Sequence, residues 1–365
     1  MFLQRLVYQD RFSGEKVGPL ILNPNLNIIF GKSASGKTRT LNILFGIGLM
    51  HRGGPVSSTS PETWAVLFKE RDKEYFYQVG TGNNEGNLFV KQDALHSGAG
   101  ETLIFDREQN KLLNEVTNEE ERYSPISNEL SLNYVKDTEK HKTALKLRNY
   151  LTQFKRLDYS IANVVGATSL LDNNRLIVEP NGAFLDATIS NIMNGFPTSF
   201  EKIKMNFMDI YPHVENISIG KLPVGINSIQ TLFIKEDFLD IPYPWFHASS
   251  GMVKTLALLS ILFSPLEKSL IMIDEIENSL DYEGLVKIAD IIKEVSMDRQ
   301  IVVATHSPIF ANMFAFDQWI ICTREGKRTK FHNIKKDAKL AELFNQNFDN
   351  FSLYTQDFLN LVEQK

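Results

Sequence analysis

The chain is 365 residues long, 43% hydrophobic and 23% charged, with a formal net charge of −5. That composition excludes a mainly disordered or fibrous protein, and it offers no overall basic surface for nucleic acid, leaving only a local stripe to be sought. A single cysteine, Cys322, excludes a disulfide framework, and no apolar run reaches membrane-spanning length, so a cytoplasmic protein is expected.

In chain order, "LQRLVYQ" and "LNIIF" read as strands, followed by a glycine loop and an apolar helix, "TRTLNILFGIGLM", from Thr38. Between Trp64 and Phe105 the runs "WAVLF", "EYFYQV", "LFV" and "TLIF" alternate with turn-rich stretches such as "GTGNNEGN" and "HSGAG". They predict an antiparallel sheet. Residues from Asp106 to Glu139 are polar without a clear period and are expected as a mobile insertion. Leu147, Tyr150, Leu151, Phe154 and Leu157 fall on one helical face; Phe200, Ile203, Phe207 and Ile210 make a second such stripe. From His247 the pattern is helix, apolar strand "SLIMI", helix from Tyr282, apolar strand "IVVAT". Uninterrupted apolar strands alternating with helices predict a parallel sheet covered on both faces, hence an α/β fold.

Residues 31–38, "GKSASGKT", fit the phosphate-loop pattern G-x-x-x-x-G-K-[ST] and stand between an apolar strand and a helix, the context the pattern requires. Gly31, Lys32, Ser33, Ala34, Ser35 and Gly36 would wrap backbone N–H groups around a phosphate at the helix N-terminus. Lys37 would reach the β- and γ-phosphates of ATP, and Thr38 would hold Mg²⁺. "SLIMIDEIENSLD" is an apolar strand ending in two carboxylates. Asp274 can bind the water shell of the magnesium, and Glu275 can polarise the attacking water. His306, in "ATHSP" at the end of the next apolar strand, is placed for a γ-phosphate contact at the carboxyl edge of a parallel sheet.

Phosphate loop, "ASSGM" (248–252), "DEIENSLD" and "ATHSP", in that order, resemble the ABC-type ATPases. The resemblance implies a P-loop fold with a mainly parallel core sheet, an N-terminal antiparallel sheet and a helical insertion. Under it, Ser249, Ser250 and Gly251 stand at the signature loop, with serine at 250 in place of a glycine and Met252 in place of a glutamine or acid. Asp281 stands at the D-loop acid and His306 at the switch histidine. In that family the signature loop of one subunit closes on the ATP held by another, which implies a homodimer or larger homo-oligomer. Four segments are expected: a lobe at 1–105 with the phosphate loop, a mainly helical insertion at 106–240, a lobe at 241–336 with the signature, carboxylate pair, D-loop and histidine, and an aromatic-rich tail at 337–365. Gln78 and Gln92 are candidates for the Q-loop glutamine, and Tyr8 and Phe12 for the adenine-stacking aromatic.

The long interval between Lys37 and Ser249 argues against a transporter subunit. The antiparallel strands, the basic helix and the segment "SFEKIKMNFMDIYPHVENISI" resemble the RecF/SMC-like branch, including the ATPase part of OLD-type and Septu-type phage-defence proteins. The stretch after His306 is too short for the Toprim nuclease of OLD-type proteins, so any cutting or poisoning is expected of a separate effector protein. Three roles follow: a defence-type ATP switch triggered by nucleic acid or a phage product, a RecF/SMC-like DNA repair or chromosome-maintenance ATPase, or a nucleotide-gated scaffold with little turnover. Lys142, Lys146 and Arg156, with Asn149 and Gln153, form the candidate nucleic-acid stripe on the polar face of the helix that carries Leu147 and Leu151; a solvated face is the plainer reading. Arg324, Lys327, Arg328 and Lys330 read as solvated charge around a hairpin turn. In the tail, Phe344, Phe348, Phe351, Tyr354, Phe358 and Leu361 recur at near-helical spacing, expected either to close the core or to dock a partner.

Overall fold

A computed structural model describes residues 1–53, 61–98, 102–157, 185–224, 227–264 and 269–333. The aromatic series of the tail lies outside them. In chain order the first elements are β1 (Phe2–Asp10), β2 (Lys16–Ile21), β3 (Leu26–Phe30), α1 (Lys37–Met50), β4 (Glu62–Glu70), β5 (Lys73–Asn84), β6 (Asn87–Ser97) and β7 (Thr102–Asp106). Next come β8 (Lys111–Asn114), β9 (Glu119–Arg122), α2 (Ser131–Tyr134), α3 (Lys142–Thr152), β10 (Lys155–Leu157), α4 (Leu185–Gly195), α5 (Pro197–Ile210), β11 (Val214–Val224) and β12 (Asn227–Glu236). The remainder are β13 (Tyr243–Pro244), α6 (Ser250–Leu262), β14 (Leu270–Asp274), α7 (Tyr282–Val295), β15 (Gln300–Thr305), α8 (Pro308–Ala311), β16 (Trp319–Glu325) and β17 (Arg328–Asn333). Among the described residues, no helix is long and apolar enough to cross a membrane.

Two compact units divide the chain. The first comprises Met1–Phe154, Lys268–Leu270 and Arg299–Lys365. Its described strands run in the order β15-β3-β16-β17-β2-β1-β4-β5-β6-β7-β8-β9. Every residue of β3 and β15 is buried, which is why both read as apolar runs, interrupted in β3 only by Asn27. They pair in parallel from Ile301↔Leu26 to Thr305↔Phe30, so their carboxyl ends are level. β16 flanks β3 on the other side, also parallel, with Ile321 opposite Phe30. Beyond β2, strands β1, β4, β5, β6 and β7 are antiparallel, as their alternation of apolar and polar residues predicts.

The polar stretch from 106 to 139 holds structure that its sequence does not advertise. β8 and β9 form a hairpin, and two buried charges pin the segment behind it. Arg107 donates to the carbonyls of Ile126 and Glu129, and the Asp93 carboxylate accepts from Ser131 N. These are long-range bonds, so no local period could reveal them.

His51 is fully buried against Trp64 and Tyr77, and its ring nitrogens meet Ile47 O and Tyr77 Oη at 2.6 and 3.1 Å. Burial pushes the imidazole down to about 4 from 6.5. Below its ordinary value the unfolded chain takes up a proton that the folded chain refuses. Stability is therefore expected to fall as pH drops from 6.5 towards 4, by up to about 3 kcal/mol, and to level off below that. Urea unfolding at pH 7.5 and 5 checks this; a His51→Gln variant should lose the dependence on this group.

The second unit comprises Lys155–Glu267 and Ile271–Asp298. β10 runs parallel to β14, with Arg156 opposite Met272 and Leu157 opposite Ile273. α6 is buried from Met252 to Leu262 and packs against α4, α5 and β10, as a helix apolar on all sides must. α7 is amphipathic, capped by Asp281 and carrying Lys293 in its last turn. A second sheet, β11-β12-β13, is antiparallel, with Ile217 opposite Ile234. The described residues of the 106–240 segment thus carry strands beside the helices α2 to α5. β12 buries Leu232 and Ile234 at a period of two, with Ile217 of β11 buried opposite Ile234.

Candidate nucleotide-binding site

The phosphate loop belongs to the first unit. β3 delivers the chain to Gly31, and α1 begins at Lys37 with Gly36 as its N-cap at φ 107°. Only glycine takes that conformation without strain, and a Cβ at 36 would also lie 2.5 Å from Thr329 Oγ1. At Gly31 a Cβ would lie 2.3 Å from the carbonyl oxygen of Cys322 on β16, so backbone packs directly on backbone. The Lys37 ammonium folds over the loop and donates to Gly31 O and Lys32 O, both at 2.8 Å. Ser33, Ala34 and Thr38 are exposed, Lys32 is half-buried, and Ser35 is buried with its carbonyl 3.5 Å from Cys322 Sγ. This cradle fits a polyphosphate: it leaves no room for side chains where glycine stands, a cation covers it, and the Thr38 hydroxyl stays open in the first helical turn. Gly36→Ala is expected to cost about 1–3 kcal/mol of stability through backbone strain and to weaken ATP binding. A thermal melt and a nucleotide titration check the two effects separately.

His306 follows β15 in the same unit. The Thr305↔Phe30 register sets it beside Gly31, and its imidazole is exposed. Ser307 then caps α8, its Oγ accepting from Phe310 N. The two aromatic candidates part company. Tyr8 is buried, with its hydroxyl donating to Glu62 Oε2 and its ring covered by Arg39. Phe12 is 85% exposed on the β1–β2 loop, whose Glu15 binds Arg39 in the first turn of α1 at 3.1 Å. That ion pair ties the loop to the start of the phosphate-loop helix and leaves Phe12 as the accessible ring. Gln78 and Gln92 sit on β5 and β6, several strands from β3 in the sheet order, so neither is brought to the phosphate loop.

The carboxylates belong to the second unit. Asp274 ends β14 and is 3% exposed. Arg156 Nη2 lies 3.2 Å from its Oδ2, a buried ion pair formed across the β10–β14 pairing. Glu275, the next residue, is exposed and adopts φ 46°. Its Oε2 accepts from Asn278 Nδ2 at 2.8 Å, and its carbonyl accepts from Lys254 Nζ at 2.8 Å. Burial pushes the Lys254 amine down to about 7, against the pull of Glu277, Glu275 and Asp274.

Ser249 caps α6, its Oγ accepting from Met252 N at 3.2 Å, and Ser250 is exposed in the first turn. A Cβ at Gly251 would lie 2.6 Å from Ser279 O, which explains the glycine. Met252 turns into the core, so its departure from a polar residue is met by burial. Asp281 caps α7 through Gly284 N at 2.7 Å.

The expected basic stripe is not assembled. α3 ends at Thr152, and Arg156 lies beyond it in β10, buried against Asp274 rather than on a polar helix face. Lys146 pairs with Glu70, and Lys142 is exposed at the start of α3. In the β16–β17 hairpin Arg324 reaches Glu15 at 3.6 Å and Lys330 pairs with Glu325, as solvated charge does. Two residues that contact the carboxylate segment were missed by the sequence, Lys254 and Asn278, while a third, Arg156, was placed on the basic stripe instead. Lys254 alone gave a signal, as a lone charge inside the apolar run "MVKTLALLSIL".

A family model described as "AAA domain, putative AbiEii toxin, Type IV TA system" matches residues 26–312, from the start of β3 to just past α8. Two solved structures share the fold. One is a Smc head bound to the C-winged helix domain of ScpA, with TM-score 0.51 and 15% identity, covering 91% of this chain and 98% of that one. The other is a Smc head with an extended coiled coil bound to the C-terminal domain of ScpA derived from Pyrococcus furiosus, with TM-score 0.52 and 15% identity, covering 94% and 99%. At such identity the likeness is one of fold. Comparison with curated proteins gives no sequence match.

Proposed function

The chain belongs to this AAA-domain family, with the fold of an SMC-head-like P-loop ATPase, and on that premise we propose that it is a magnesium-dependent ATP-hydrolysing switch that dimerises around ATP. The observation that carries the reading is the phosphate loop: a cradle that requires glycine at 31 and 36, covered by the Lys37 ammonium. In this reading Lys37 takes the β- and γ-phosphates and Thr38 the magnesium, while Asp274 offers the ion's water shell a carboxylate. Glu275, exposed to solvent, polarises the attacking water, and His306 contacts the γ-phosphate. Ser249, Ser250 and Gly251 present the N-terminus of α6 to the nucleotide held by a second copy, where a helix N-terminus favours an anion.

The output belongs to a separate effector protein. One finding supports this: both Smc heads were solved with a domain of another protein. The likeness to OLD-type and Septu-type ATPases makes nucleic acid or a phage product the trigger of such a switch. Purified protein should hydrolyse ATP only with magnesium, and expression from its native operon should co-purify the effector. Degradation of DNA or RNA by the isolated chain, lost in a point mutant outside the ATP motifs, overturns the separate-effector reading.

A further inference from the structure

We propose that Lys254 is a positioning residue that ties the signature helix to the catalytic loop, so that engagement of Ser249–Gly251 on one nucleotide sets the position of Glu275 on the other. The proposal rests on the dimeric ATPase reading, in which a protomer offers its signature loop to its partner's ATP and keeps Glu275 for its own.

Four contacts within the second unit carry it. Lys254 is 1% exposed and stands little more than one turn into α6, whose cap is Ser249. Its ammonium donates to Glu275 O at 2.8 Å and to Asn278 O at 2.6 Å, spanning both ends of the first turn after β14. Asn278 in turn donates its side-chain N–H to Glu275 Oε2 at 2.8 Å, so the residue that Lys254 holds by its backbone holds the carboxylate by its side chain. Gly251 rests on the carbonyl of Ser279, the next residue along. The first turn of α6 and residues 275–279 are therefore built as one piece.

That piece needs holding. Glu275 and Ser279, neither of them glycine, both lie in the left-handed region, at φ 46° and 65°. Such backbone persists only where its surroundings over-determine it. A lysine suits the task because its ammonium has three donors and no acceptor, enough for two carbonyls of the turn after β14 at once. A neutral side chain of the same length fills the space but takes the ammonium from both carbonyls, leaving Glu275 O only the backbone N–H of Asn278 at 3.1 Å, and the loop is then freer to carry the Glu275 carboxylate off line. A shift of the base changes turnover and leaves the phosphate loop's grip on ATP alone.

The test compares Lys254→Met, Asn278→Ala, Glu275→Gln and the double variant Lys254→Met/Glu275→Gln, each checked for folding by thermal melt. ATP affinity is read by titration with a fluorescent ATP analogue and turnover by phosphate release. Lys254→Met and Asn278→Ala should each lower kcat at least tenfold with KM and analogue affinity changed less than twofold. In the Glu275→Gln background the lysine substitution should lower the residual rate no further, because it acts through that carboxylate. Equal losses with and without Glu275 show a merely structural lysine and overturn the proposal, as does an unchanged kcat in both single variants. Should Lys254→Met not fold, Asn278→Ala, at a half-buried loop position, decides the matter by the same criteria. Normal hydrolysis by Glu275→Gln instead overturns the underlying choice of base, a separate result.

Discussion

Lys37→Ala should bind ATP at least a hundredfold more weakly than the wild-type protein. In the structure the ammonium is already drawn over the phosphate loop by Gly31 O and Lys32 O, so it needs little rearrangement to meet a phosphate. A hydrogen bond to a charged group contributes about 1.5–3 kcal/mol, and the lysine offers one to each of two phosphates. A total near 3 kcal/mol or more corresponds to that hundredfold loss. Alanine keeps the helix N-terminus and the glycine cradle, so the variant should stay folded. Isothermal titration with ATP and magnesium checks the affinity, and a thermal melt checks the fold. Retained affinity in a folded Lys37→Ala protein would mean that the loop is not the phosphate site.

Glu275→Gln should behave in the opposite way, binding ATP normally while its turnover falls about a hundredfold or more, the usual contribution of a general base. The substitution is close to isosteric, and the new amide oxygen can still accept from Asn278 Nδ2, so the loop after β14 keeps its shape. What disappears is the charge that draws a proton from water. Phosphate release under saturating ATP measures it. Normal turnover assigns the base elsewhere.

Much of this fold could be read from the sequence because its central strands are buried on both faces. The interiors of β14 and β15 are apolar and β3 is interrupted only by Asn27, and the glycine loop stands where β3 ends. The phosphate loop, the carboxylate pair and the histidine were legible for the same reason: each terminates such a strand. Periodicity misled where burial outlasted the helix. Phe154 and Leu157 are buried as the stripe through Leu147 and Leu151 implies, yet α3 stops at Thr152 without a glycine or proline to mark it. Arg156 was carried along on that extrapolated helix, whereas the chain turns into β10 and delivers it to Asp274. The strands from 111 to 122 were hidden differently, their sparse apolar residues diluted among charges. Their order depends on partners far away in sequence, such as Asp93 for Ser131 and Leu113 O for His141.

The sandwich mechanism turns on one molecular event, closure of two copies around ATP, and the Glu275→Gln protein isolates it because bound nucleotide persists. Multi-angle light scattering of that variant, with and without saturating ATP and magnesium, measures it most directly. A monomer that becomes a dimer or larger species only with ATP is the predicted result. A monomer that stays a monomer at saturating ATP contradicts the mechanism.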